Sequence, residues 1–128
     1  TDIEDVKTID ERKIAAQQGD ILLSIHANKD EETLNTIKAY INYDSQKYVE
    51  SYALACSILN SLSDKFVAQT TGTAIIQIKM NQLDADDPKK ILETNKIAVQ
   101  IELGNIDGKS SFLPQTKTIA TRLAEAFT

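Results

Sequence analysis

Four short apolar runs alternate with three stretches of helical spacing along this chain. The first run, Ile21-Leu22-Leu23-Ser24-Ile25, lies between Gly19-Asp20 and His26-Ala27-Asn28. Its length and lack of alternation predict a central strand covered on both faces. Thr36 to Asn42 alternates and is rich in β-formers, which predicts a second strand. Gly72 breaks the chain before a third strand at Thr73 to Ile78, and Ile97 to Leu103 is a fourth, stopped by Gly104. A short helix is expected from Ile9 to Gln18, with Thr8 as N-cap, Glu11 at the capping-box spacing and Gly19 as its stop. The longest helix starts near Asp44 or Ser45, either of which can cap it. Within it Tyr48, Tyr52, Ala55, Leu59, Leu62 and Phe66 recur at helical spacing and form one core-facing stripe. Thr116 to Phe127 forms the last helix, with Ile119, Leu123 and Phe127 on one side.

Residues 1–8 and Lys29 to Glu32 read as loops. Asn81 to Thr94 reads as a long surface connection carrying Asp84, Asp86, Asp87 and Pro88. Those acids lack the glycine and closing glutamate of a calcium loop, so a solvated loop is the better reading. Strands alternating with helices over 128 residues imply a single α/β domain. Its central sheet is expected to be largely parallel, with helices on both faces.

Composition narrows the function classes. The formal charge is −5, and Lys and Arg are scattered among acids instead of gathered in a stripe. That excludes nucleic acid as a natural partner, because nothing neutralises a run of phosphates. The lone cysteine, Cys56, rules out an intrachain disulfide and a multi-cysteine zinc site, and in its apolar surroundings it reads as a buried, inert thiol. No apolar stretch approaches the roughly 20 residues of a membrane span, and no secretory leader opens the chain. The start at Thr1, without a Met, fits a mature or excised piece.

Two polar residues stand at strand ends. His26 follows the first strand and Glu102 lies near the end of the fourth. In open α/β sheets ligands gather beyond the carboxyl ends of strands, so parallel neighbours would aim both residues into one crevice. Pattern alone leaves His26 open between a structural role and a site. Glu102, costly to bury after an apolar run, is either salt-bridged or capping the Gly104-Asn105 turn, or a general base.

The wider text carries a resemblance. Asp20-Ile21-Leu22-Leu23-Ser24-Ile25-His26-Ala27-Asn28 resembles the "D-hydrophobic-SIHAN" segment of zinc-dependent N-acetylmuramoyl-L-alanine amidases of the amidase-3 type. Upstream, Asp10-Glu11-Arg12-Lys13-Ile14-Ala15-Ala16 is similar to that family's "R…A" helix. Downstream, Val99-Gln100-Ile101-Glu102-Leu103-Gly104-Asn105-Ile106-Asp107 is similar to its "hydrophobic-ELG-[NF]-[IL]" segment. The three occur in the family's order and cover essentially the whole chain. The resemblance implies a peptidoglycan hydrolase acting outside the cytoplasm on the amide between N-acetylmuramic acid and L-alanine. It implies His26 as a Zn²⁺ ligand and Glu102 as the catalytic acid/base, with Arg12, Ser24, Asn28 and Asn105 supporting the strand ends.

The chain also departs from that pattern. The family begins with a strand ending in a Gly-His-Gly-Gly-like loop that supplies a first zinc histidine, followed by a helix that supplies a glutamate ligand. Here there is one His, and the glycines stand at 19, 72, 104 and 108, none in such a loop. The expectation is therefore a domain without the family's N-terminal strand and helix. It should be inactive alone, with a missing segment or a partner covering the exposed sheet edge. The alternative is a non-catalytic peptidoglycan-binding or regulatory module of the same fold.

Overall fold

The structure, a computed structural model, describes residues 19–27, 36–62 and 72–104, together with Thr121, which is helical. The helices expected at 9–18 and, apart from Thr121, at 116–127 lie outside the described residues. So do the loops at 1–8 and 29–32 and the side chains of Arg12, Asn28, Phe66 and Asn105.

Four seven-residue strands form the sheet: β1 (Ile21–Ala27), β2 (Thr36–Asn42), β3 (Gly72–Ile78) and β4 (Ile97–Leu103). They lie in the order β1-β4-β2-β3. β1 runs parallel to β4 and β2 parallel to β3, while β2 and β4 meet antiparallel. The sheet is thus largely parallel in its pairings, built as two parallel pairs joined at an antiparallel seam. β1 extends two residues beyond the apolar run, so His26 lies within the strand and does not follow it.

Side chains alternate across a strand, so register assigns every residue to a face. One face gathers Ile37, Ala39, Ile41, Val99, Ile101 and Leu103 against the helix α1 (Tyr48–Leu62). The helix buries Ser51, Ala55, Ile58, Leu59 and Leu62. That stripe is turned away from the expected one at Tyr52, which is 39% exposed. Small residues at 51 and 55 let the helix sit close to the sheet, and the aromatic rings are left at the rim. There Tyr48 lies edge-on to Tyr43 at 6.0 Å and beside Tyr52 at 6.1 Å. Cys56 is half-buried, short of the full burial expected for it.

α1 starts at Tyr48, later than Asp44 or Ser45, because the intervening residues are spent on turns. Asn42 Oδ1 accepts from the Asp44 N–H at 2.9 Å, and Ser45 Oγ accepts from the Lys47 N–H at 3.0 Å. Such side-chain-to-backbone bonds compete with the first turn of a helix.

The opposite face is half apolar. Tyr40 and Ala98 pack there against Met80, Ile91 and Leu92. The last three come from two 3-10 turns, Met80–Gln82 and Pro88–Leu92; Ile91 and Leu92 lie inside the connection expected to be solvated, and Met80 immediately precedes it. Asp87 caps the second turn by accepting from the Lys89 N–H at 2.9 Å, and Pro88 supplies a preset first φ. Asn42 Nδ2 donates to the Leu92 carbonyl at 3.2 Å and ties this segment to β2.

One buried bond locks α1 to β4: the Ala98 N–H donates to Ser51 Oγ at 3.0 Å. The β2–β4 ladder ends at Tyr40 opposite Gln100 and does not reach Ala98. Ser51→Ala leaves that donor buried and unsatisfied. The expected cost is about 1–3 kcal/mol, measured as a lower urea midpoint at unchanged slope.

Candidate active site

The polar half of the second face lies where β1 and β4 end. His26 on β1 is the register partner of Glu102 on β4, and Glu102 in turn stands opposite Lys38 on β2. One step inward, Ser24, Gln100 and Tyr40 form a second cross-strand row. Two polar rows therefore cross three strands on one face, each strand about 4.8 Å from the next. The next step inward turns apolar at Leu22 and Ala98.

The structure brings the two site residues read from the sequence, His26 and Glu102, side by side on parallel neighbours. Both are half-buried. Ser24 lies one row behind His26 on the same face. Asn28, Asn105 and Arg12 fall outside the described residues.

Tyr40, Gln100 and Lys38 belong to the same block, and the motifs did not single them out. The signal was present as period-two alternation: Gln100 and Glu102 interrupt β4 on the face opposite Val99 and Ile101, as Lys38 and Tyr40 do in β2.

The electrostatics center on Tyr40. Burial first, then the charge of Glu102 and hydrogen bonding with its carboxylate, and last the charge of Asp87, raise the phenol above its ordinary pKa of 10.0. The phenol is therefore a neutral donor at any working pH. Lys89 Nζ sits 5.4 Å from the center of the Tyr40 ring and 3.2 Å from Asp87 Oδ1. Partial burial pushes the Asp87 carboxyl up, but the Lys89 N–H, the Lys89 ammonium and the charge of Lys90 outweigh it and hold the pKa below the usual value. Gln100 is 2% exposed, and its Oε1 is buried with no hydrogen-bond partner among the described residues.

Chemically, a carboxylate beside an imidazole can take up a proton from a bound water while the imidazole holds a metal ion or a proton. Among the described residues no three His, Cys, Asp or Glu side chains converge in a way that could hold a metal. A catalytic zinc requires about three ligands from protein, and an imidazole such as that of His26 is a side chain of the right type for one of them.

No protein-family model matches the sequence. No curated protein matches it. Solved structures do. The chain superposes on N-acetylmuramoyl-L-alanine amidase AmiC2 of Nostoc punctiforme with a TM-score of 0.58 and 19% identity, covering 94% of this chain and 63% of that one. It superposes on the N-acetylmuramoyl-L-alanine amidase from Clostridium difficile 630 with a TM-score of 0.54 and 18% identity, covering 94% of this chain and 61% of that one. This chain thus spans about three-fifths of the length of either structure. The comparison bears out the expected α/β architecture: this chain shares its fold with N-acetylmuramoyl-L-alanine amidases.

Proposed function

We propose that this chain is the larger part of a peptidoglycan amidase domain that hydrolyses the amide between N-acetylmuramic acid and L-alanine. The observation that carries the reading is His26 opposite Glu102 at the ends of two parallel strands, in a fold shared with amidases of that name. In this reading the Glu102 carboxylate removes a proton from water as the water oxygen adds to the carbonyl carbon. The carbon–nitrogen bond then breaks, and the same proton passes to the departing L-alanine nitrogen. His26 serves as one zinc ligand in the complete domain. The described residues do not close a zinc site, so the remaining ligands belong to other parts of the protein.

The substrate places the site of action outside the cytoplasm, in the periplasm, the cell wall or the medium. No described helix is long and apolar enough to cross a membrane.

Elemental analysis and hydrolysis of a soluble muramoyl-peptide test the proposal on the 128-residue chain and on the complete protein. The complete protein is expected to hold about one zinc per chain and release the peptide, and the 128-residue chain to do neither. His26→Ala in the complete protein should lower its zinc content. A complete protein that sediments with peptidoglycan but holds no zinc and releases no peptide would reverse the reading. It would favour the non-catalytic module.

A further inference from the structure

We propose that Tyr40 is a positioning residue for Glu102: its phenol donates a hydrogen bond that fixes the carboxylate toward the end of the sheet. The proposal rests on Glu102 being the proton acceptor of the reaction. Tyr40 and Glu102 are diagonal neighbours on one face of the antiparallel β2–β4 pair, since Tyr40 faces Gln100 and Lys38 faces Glu102. A diagonal of that kind is within reach of an aromatic side chain.

The ring has little freedom. It is 8% exposed and packed with Met80, Ile91, Leu92 and Ala98, with the Lys89 ammonium over it. A tyrosine has two side-chain torsions, so a clamped ring also places its oxygen.

The unpartnered oxygen of Gln100 is the second observation. Gln100 is the direct cross-strand partner of Tyr40, and its Oε1 is buried and accepts from no described donor. A buried acceptor left empty costs free energy, and the residue directly across the ladder from it, Tyr40, carries a donor that does not fill it. Tyr40 has one phenolic proton and two candidate acceptors, the amide of Gln100 and the carboxylate of Glu102. A charge-assisted bond is about twice as strong as a neutral one, so the carboxylate takes the proton and the amide goes without. The raised phenol pKa fits this contact, with Glu102 contributing both by charge and by hydrogen bonding. The orphan in the inner row is thus what a phenol engaged by the carboxylate of the outer row leaves behind.

Two measurements on the complete protein test the assignment. The first is ultraviolet titration of the tyrosines, with Tyr40→Phe identifying the signal of Tyr40. The charged groups facing that phenol are Glu102, Asp87 and Lys89. In Glu102→Gln the Tyr40 transition is expected to move down toward the ordinary tyrosine range, and no shift would overturn the contact. The second is kinetic. Tyr40→Phe keeps the packed ring and removes the donor, so kcat on a soluble muramoyl-peptide should fall about tenfold or more with KM within about twofold. An unchanged kcat, or a loss confined to KM, would overturn the positioning role. If the unsubstituted protein releases no peptide at all, it is the amidase reading that fails, and the titration still decides whether Tyr40 and Glu102 touch.

Discussion

Glu102→Gln in the complete protein is expected to lower peptide release from a muramoyl-peptide by about a hundred- to ten-thousandfold, with KM nearly unchanged. The substitution keeps the shape and an acceptor oxygen for Tyr40, and it removes the carboxylate that, in the proposed reading, carries a proton from water to the leaving nitrogen. A half-buried Glu102 could instead serve the fold, by pairing with Lys38 opposite or by steadying the turn at Gly104. The two roles separate cleanly in a pair of measurements. Loss of kcat at an unchanged melting temperature supports proton transfer. A lowered melting temperature with kcat retained in the folded fraction sinks the catalytic assignment and leaves a structural one.

Ile101→Ala is expected to cost about 2–5 kcal/mol, the largest loss of stability for a single truncation near the site. Ile101 is fully buried on the inner strand β4, between Ile25 and Ala39 in register, and faces α1. Removing its outer carbons leaves a cavity under a helix already held close by Ser51 and Ala55, which limits relaxation. Against a typical 5–15 kcal/mol for a domain, that loss would show as a clear fall in the urea midpoint. Ile25→Ala is the control on the same face and in the same register row. Ile25 is 50% exposed, so its truncation should cost well under half as much. Equal costs at the two positions would mean that the burial on this face is wrongly assigned.

Much of this architecture was legible in the residues because it depends on local pattern. The four strands, the long helix and the α/β class follow from apolar periodicity, and His26 and Glu102 stood out as polar residues ending apolar runs. Other features depend on partners distant in sequence. The antiparallel seam between β2 and β4 could not be read from either strand alone, yet it places Lys38 and Tyr40 beside Glu102. The helix stripe was misread at Tyr52 because apolarity favours an aromatic in the core, whereas close packing on a sheet favoured Ser51 and Ala55. The polar count of residues 81–94 hid Ile91 and Leu92, which cover the second face of the sheet. Gln100 was overlooked among aliphatic neighbours, although its alternation with Glu102 already placed both on one face.

The seam has a consequence for motion. β4 is bonded along both edges, to β1 on one side and β2 on the other, whereas among the described residues β1 is bonded along one edge alone. Opening the sheet at β4 means breaking two ladders, while β1 can loosen by breaking one, so amide exchange should be slower around Glu102 than around His26. The carboxylate is the fixed point of the pair. Breathing at this end of the sheet changes the gap mainly by carrying the imidazole toward or away from a stationary carboxylate.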